Sequence, residues 1–435
     1  MTKRMLLAVL LLIVFTLPAG CQKQGGEPTQ PTAPAPTILP TPTPEPSPTP
    51  TPDPVGEALA GMTVEQKVAQ LLVAGIEGTE PGEDAVKAVQ GYQVGGVILF
   101  GRNVESAEQL AALTNGLKEL NGDYTPLFLC VDQEGGRVDR MPPEVTDLPS
   151  ALDFGSIADP EARMDACFTL GQTLAAQCAA FGFNMDFAPS LDIWSNPENT
   201  VIGDRAFGTD AATVTGAANE TALGILSGGV IPVAKHFPGH GDTAVDSHYG
   251  LPVVDKSLEE LEELELRPFR QAIDTTCVYG TYGGDTSIPA VMVAHILLSQ
   301  IDPDDPASLS PGVVTGLLRE EMGYEGVVCT DDLTMGAISN TYGMGEAAVL
   351  AVEAGCDLLL VCHGADNLAA AHAALVDAVD SGRISMERLD ESVYRVLSLK
   401  AVYGLSNAPV EAPDIKALND RIAALERSIE ADTSQ

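Results

Sequence analysis

The feature that most constrains this chain is a rhythm of short, almost continuously apolar runs separated by helix-patterned stretches. Eight runs recur: LLVAGI (71–76), GVILF (96–100), LFLCVD (127–132), FNMDFAP (183–189), IPVAKHF (231–237), VMVAHI (291–296), GVVCTD (326–331) and DLLLVC (357–362). Such runs are expected of strands buried on both faces of a parallel sheet. The stretches between them carry helix signals. Thr63-Val64-Glu65-Gln66 and Ser257-Leu258-Glu259-Glu260 are capping boxes, the second followed by Leu258, Leu261 and Leu264 facing inward. Over 385–400, Leu389, Val393, Val396 and Leu397 share one helix face. Strands alternating with helices between residues 55 and 405 predict an α/β fold, a single (β/α)8 TIM-type barrel. The alternative is an open doubly wound sheet. No GxGxxG follows an early strand, which weakens a dinucleotide-binding reading.

The flanks read differently. In residues 1–20, Lys3 and Arg4 precede an apolar run over 5–17, shorter than the roughly 20 residues of a membrane-spanning helix. Leu17-Pro18-Ala19-Gly20-Cys21 follows, and small residues before a Cys resemble a bacterial lipobox, although Pro18 stands where that pattern has an aliphatic residue. Cys21 is then the lipidation site, and the protein is exported and anchored to the bacterial cell membrane by lipid. Residues 21–54, rich in Pro and Thr, have little to bury and predict a disordered linker. As polyproline II at about 3.1 Å per residue it could span roughly 100 Å. Residues 406–435 predict a helical tail, too short for a second domain.

The formal net charge is −38, which argues against nucleic-acid binding, because phosphate contacts need clustered Lys and Arg. It suits an uncharged or cationic substrate. The eight Cys do not read as a disulfide set: Cys130, Cys329 and Cys362 end apolar runs, where Cys acts as a small hydrophobe.

Polar residues gather just after the strands, where a barrel builds its active site. Asp132-Gln133-Glu134-Gly135-Gly136-Arg137-Val138-Asp139-Arg140 follows the third run. Asp192 and then Asn199–Arg205 follow the fourth. Lys235, His236, His240, Asp242, Asp246 and His248 follow the fifth, and Thr330-Asp331-Asp332 ends the seventh. Two chemistries fit this cluster. Glycoside hydrolysis needs a carboxylate on a rigid support, which Asp331 supplies, and an acid/base near neutral pKa, which His248 with Asp246 supplies. Lys235, Arg140 and Arg205 can donate to sugar hydroxyls and an acetamide oxygen. Metal-dependent hydrolysis could instead use His236 and His240 with Asp242 and Asp246, although Pro238 and Gly239 keep the two His off a common helix.

The motif KHFPGHGDTAVDSHYGLP (235–252) resembles the signature of glycoside hydrolase family 3 in its β-N-acetylhexosaminidase branch. VDQEGGRVDR (131–140), NTVIGDRAFG (199–208), VMVAHI (291–296), GYEGVVCTDDLTMGAI (323–338) and AGCDLLLVC (354–362) resemble the same branch in the same order. The resemblance covers about residues 57–404. It implies a retaining double displacement on terminal β-linked N-acetylglucosamine, with no metal or other cofactor. It places the nucleophile on Asp331, the acid/base on His248 with Asp246 as its partner, and sugar binding on Asp132, Arg140, Arg205, Lys235 and His236. The Asp-x-His loop motif favours hexosaminidase over β-glucosidase. Segment 277–289 looks longer than the family's usual loop. The expected partners are a cell-wall fragment, muropeptide or chitooligosaccharide, bound by a monomer. Phosphorolysis at the same site, and a sugar-binding lipoprotein that has lost catalysis, are the alternatives. Gly239, Gly241 and Gly250 around the His248 loop point to a segment that can close, with His248 standing away from Asp331 when the loop is open.

Overall fold

The computed structural model describes residues 53–275 and 288–433. The expected export segment, Cys21, the Pro/Thr-rich stretch and most of 277–289 lie outside the described residues.

All eight runs contribute strands. They are β1 (Leu72–Gly75), β2 (Gly96–Leu99), β3 (Phe128–Val131), β4 (Met185–Asp186), β5 (Ile231–Phe237), β6 (Ala290–Val293), β7 (Val327–Asp332) and β8 (Leu358–Val361). They close into a barrel in chain order, every pair parallel, with β8 returning to β1. The fold is therefore the (β/α)8 barrel. Strand β4 is shorter than its apolar run, covering two residues of 183–189.

Why the runs are apolar throughout is visible in how they alternate. Val73, Ile98, Phe128, Cys130, Met185, Ile231, Val233, Met292, Cys329, Leu358 and Leu360 fill the barrel interior. Their neighbours Leu72, Val97, Leu129, Ala234, Val291, Val328 and Leu359 pack outward against the helices. Each strand thus faces two cores, and a polar residue on either face would be desolvated.

Both expected capping boxes form: Thr63 accepts from the Gln66 N–H, and Ser257 accepts from the Glu260 N–H. Helix Leu258–Glu263 is brief; Leu261 is buried, while Leu258 and Leu264 pack at the margin of the core. Helix Met386–Val402 buries Leu389, Val393, Val396 and Leu397. Its Val396 and Leu399, with Tyr403 and Leu405, close the interior core at the N-terminal end of the barrel. The C-terminal helix Ile415–Thr433 buries Leu418, Ile422 and Leu425, and Arg421 Nε donates to Thr173 Oγ1 (3.1 Å). Cys130, Cys167, Cys178, Cys329, Cys356 and Cys362 are buried free thiols. Among the described residues, no helix is long and apolar enough to cross a membrane.

Two irregularities bear on the site. The β5–β6 register slips between Ala234 and Phe237, and the β7–β8 register slips between Cys329 and Asp332. Extra residues at strand ends re-aim side chains. At β5 the slip turns both Lys235 and His236 toward one cavity.

Candidate active site

The strand alternation that fills the barrel continues past its last apolar layer. Following Phe128 and Cys130 inward comes Asp132; following Ile231 and Val233 comes Lys235; following Val327 and Cys329 comes Asp331. These side chains stand on the C-terminal mouth, above Ile98, Phe187, Met292 and Leu360. The cavity there measures about 390 Å³ and is lined by Asp132, Arg140, Arg205, Lys235, His236, His248, Asp331, Asp332 and His363 among others. Asp246 stands behind His248. Asp132, Arg140, Arg205, Lys235, His236, His248 and Asp331 therefore line this one cavity and Asp246 touches His248, whereas the metal-ligand candidates His240 and Asp242 do not line it.

The strand-exit half is a closed set of ion pairs. Lys235 Nζ lies 2.7 Å from Asp132 Oδ1 and 2.6 Å from Glu134 Oε1. Arg205 grips Glu134 with two bonds, Nε to Oε2 at 2.9 Å and Nη2 to Oε1 at 2.7 Å. Burial opposes charge on Glu134, but Arg205 and Lys235 outweigh it and hold the carboxyl well below the usual range. The turn that carries Glu134 and Arg140 needs Gly135 and Gly136, which sit at φ 82° and 55°. Gln133 braces it, accepting from the Arg140 N–H at 2.7 Å and donating to Asp139 at 3.0 Å. Glu134 has no role assigned from the motif VDQEGGRVDR alone; its signal there is a carboxylate two residues from Asp132 on the same strand exit.

His236 is fixed from behind. Its Nδ1 donates to Asp192 Oδ2 at 2.6 Å, and Asp192 also accepts from Ser190 Oγ (2.9 Å) and the His240 N–H (2.6 Å). Burial works against the Asp192 charge, yet His236 and His240 keep its carboxyl well below the ordinary value. With Nδ1 committed, Nε2 is the nitrogen left toward the cavity and Arg205.

His240 turns away from this set. Its Nδ1 accepts from Thr243 Oγ1 (2.8 Å) and its Nε2 meets Ser247 Oγ (3.2 Å). Burial, helped by His236, pushes its pKa down to about 4, so it is neutral at pH 7. Asp242 pairs with Lys256 (3.0 Å). The set His236, His240, Asp242 and Asp246 thus spreads over separate partners. Among the described residues no group of three or more His, Cys, Asp or Glu is arranged to hold a metal ion.

Asp331 and Asp332 share a strand end but not a task. Asp331 Oδ1 accepts one bond, from the Asp332 N–H at 2.7 Å. Burial raises the cost of its charge, but His295, His236, the Asp332 N–H and Lys235 more than compensate, and the carboxyl stays ionised below its usual range. Asp332 is consumed by the strand ends: it accepts from the N–H groups of Thr334 (2.9 Å) and Cys362 (3.1 Å), among other donors.

The loop half is built otherwise. His248 Nδ1 lies 2.7 Å from Asp246 Oδ1, which also accepts the His248 N–H at 2.9 Å. Burial opposes the Asp246 charge, and these two bonds from His248 lower its pKa. The imidazole is 61% exposed, at the cavity rim. The loop is seated: the N–H groups of Gly336 and Ala337 donate to the carbonyls of His248 (3.2 Å) and Ser247 (3.0 Å), and Asn340 Nδ2 donates to Tyr249 O (3.2 Å). A Cβ on Gly336 would stand 2.6 Å from the His248 carbonyl oxygen, so only glycine allows this approach. In this seated position His248 lines the same cavity as Asp331.

Comparison with known proteins agrees in extent with the motif resemblance. Residues 63–399 match the glycosyl hydrolase family 3 N-terminal domain. A β-hexosaminidase of Nitrosomonas eutropha is 35% identical over 331 residues, 75% of this chain and 91% of that protein. The structure of a glycoside hydrolase family 3 β-N-acetylglucosaminidase from Paenibacillus sp. FPU-7 superposes with a TM-score of 0.76 at 42% identity, covering 85% of this chain and 69% of that one. A β-N-acetylhexosaminidase from Beutenbergia cavernae does so with a TM-score of 0.69 at 31% identity, covering 79% and 100%.

Proposed function

The chain belongs to glycosyl hydrolase family 3 and is a glycoside hydrolase, and from that premise we propose that it is a retaining exo-β-N-acetylglucosaminidase. Its substrates are terminal β-linked N-acetylglucosamine residues of cell-wall fragments, muropeptides or chitooligosaccharides. One observation carries the reading: a carboxylate free to attack, Asp331, and an oriented imidazole, His248, face the same cavity.

In the first step the Asp331 carboxylate attacks the anomeric carbon while the imidazolium of His248 gives its Nε2 proton to the departing oxygen. Asp246 holds Nδ1–H throughout and stabilises the cation. In the second step neutral His248 takes a proton from water, which attacks the glycosyl-enzyme and frees Asp331. Asp132, Arg140, Arg205, Lys235 and His236 hold the hydroxyls and acetamide. The apolar floor of Ile98, Phe187, Met292 and Leu360 blocks passage through the barrel, so a sugar chain enters by its end. The large negative charge of the chain suits a neutral sugar. Outside the barrel we place a lipid on Cys21, tethering a monomer to the outer face of the cell membrane; a Cys21→Ser protein leaves the membrane fraction if so.

The test is cleavage of p-nitrophenyl β-N-acetylglucosaminide with the product's anomeric configuration followed, with and without phosphate, and with EDTA-dialysed enzyme. The reading requires retention, turnover in phosphate-free buffer and survival of dialysis. Turnover that needs phosphate converts the enzyme to a phosphorylase, and inversion removes the mechanism. A 5-fluoro-N-acetylglucosaminide trap followed by peptide mapping must label Asp331.

A further inference from the structure

We infer that Asp332 is a positioning residue for Asp331, held in register by a hydrogen-bonded relay that runs through His363 to Arg102. The inference rests on the reading of Asp331 as nucleophile.

Every polar group of Asp332 is committed. Its N–H donates to Asp331 Oδ1 at 2.7 Å. Its carbonyl accepts from His295 Nε2 at 3.0 Å, and the buried His295 is itself fixed by Ser308 Oγ at 2.7 Å. Its carboxylate takes four donors. Oδ1 accepts from the N–H groups of Thr334 (2.9 Å) and Cys362 (3.1 Å). Oδ2 accepts from Thr334 Oγ1 (2.5 Å) and His363 Nδ1 (3.1 Å). A residue clamped on both sides of its own backbone has no freedom to turn its N–H away from the neighbouring carboxylate. Among the described residues that N–H is the hydrogen bond the Asp331 carboxylate receives, and preorganising such a group is what an outer layer of contacts does for a reacting one.

The relay follows from proton counting. With Nδ1–H spent on Asp332, His363 Nε2 is an acceptor, and Arg102 Nη1 lies 3.1 Å from it. Arg102 donates further to Cys362 O (2.8 Å) and Ile76 O (3.3 Å), and pairs with Glu77 (3.3 Å). The exits of β1, β2, β7 and β8 are thereby joined in one network that ends on the Asp331 carboxylate. Arg102 does not line the cavity; it meets lining residues through His363, the Cys362 carbonyl and the Phe100 ring, on which its guanidinium lies at 4.6 Å. The simpler reading is that Asp332 merely staples β7 to β8.

The experiment compares Asp332→Asn, His363→Ala and Arg102→Met in the full-length protein, with kcat expressed per site trapped by the 5-fluoro sugar. The Asn side chain would present an NH2 to the His363 N–H, or force the tautomer that presents an N–H to Arg102, so it breaks the relay despite its shape. Expected losses in kcat are roughly ten- to hundredfold for Asp332→Asn, the scale of one charge-assisted hydrogen bond, then smaller for His363→Ala and roughly two- to fivefold for Arg102→Met. KM should stay within about twofold, and the acid limb of kcat/KM should move to higher pH as Asp331 loses its donor. Should Asp332→Asn not fold, the other two variants carry the test. Lowered thermal stability with unchanged kcat and acid limb in all folded variants overturns the inference and leaves a staple. A raised KM with unchanged kcat in His363→Ala overturns the relay in favour of substrate contact. Both outcomes leave Asp331 labelled; label elsewhere in wild type instead fails the underlying reading.

Discussion

The two halves of the cavity are built on opposite plans. At the strand exits, the Lys235 and Glu134 side chains are 2% and 5% exposed, and Asp132, Glu134, Arg205 and Lys235 each have an oppositely charged partner within 3 Å. On the loop, Asp246 and His248 are 33% and 61% exposed and touch the barrel through three backbone-carbonyl contacts. Buried pairs cannot titrate or move at neutral pH without large cost, so the strand half is suited to holding one sugar in one pose. A half-exposed imidazole can lose and regain one proton in each turnover, and a loop seated by a few bonds can lift to let product leave. On the proposed mechanism, the division gives sugar binding to the buried half and proton transfer to the exposed one.

The comparison breaks most severely at Asp331. Replacing it with Ala should cost on the order of 10⁴-fold or more in kcat for every substrate, however good its leaving group, because no other group forms the glycosyl-enzyme. Steady-state assay with aryl and sugar aglycones checks this; a loss confined to poor leaving groups would reverse the assignment.

His248→Ala should be selective. For a sugar leaving group the loss should be about 10²–10⁴-fold, whereas an activated aryl glycoside should show a burst and then slow steady turnover. Asp246→Asn should give a milder form of the same pattern. Rapid-mixing kinetics separates the phases, and an absent burst would count against an acid/base role.

Glu134→Gln sharpens the other side. It leaves Arg205 and Lys235 buried with a neutral partner and should lower unfolding free energy by about 3–5 kcal/mol in urea titration. The folded Glu134 carboxyl titrates below its unfolded counterpart, so its contribution is intact above about pH 4.3 and is lost as pH falls through that value and on down. The variant should therefore show a flatter acid branch in stability against pH than wild type does. An unchanged branch would mean that the pair is not the acid-sensitive element.

The smallest effect is expected at Gly336→Ala. The added methyl meets the His248 carbonyl and should unseat the loop, lowering kcat/KM by roughly three- to tenfold, well short of removing His248. Proteolysis within 240–250 should quicken while overall stability holds. A variant with unchanged loop protection would show that the seat tolerates a Cβ.

Much of this was legible in the sequence because it rests on local periodicity. Strand alternation alone carries Asp132, Lys235 and Asp331 from apolar runs to the barrel mouth, and an Asp two residues from a His can orient it without help from the fold. Pairings across the chain were not legible. Glu134 with Arg205, Asp192 with His236 and Asp332 with His363 join residues from different strand exits, and nothing in the spacing of one motif reports the partner in another. The register slip that turns His236 inward beside Lys235 was hidden for the same reason: a bulge is set by the neighbouring strand. His295 and Gly336 lay inside quoted motifs, but their parts emerge only once β6 and the His248 loop are set against the end of β7.

The seat of the loop has a consequence for anyone exchanging parts between relatives. Within a few residues the end of β7 and the turn after it supply both Asp331, the carboxylate proposed to attack, and Gly336, the glycine on which the His248 loop rests. On the proposed mechanism the two halves of the chemistry depend on each other across two distant segments, 240–250 and 331–340. A loop transplanted without its landing strip would arrive with its own Asp-x-His intact and nowhere to put it down.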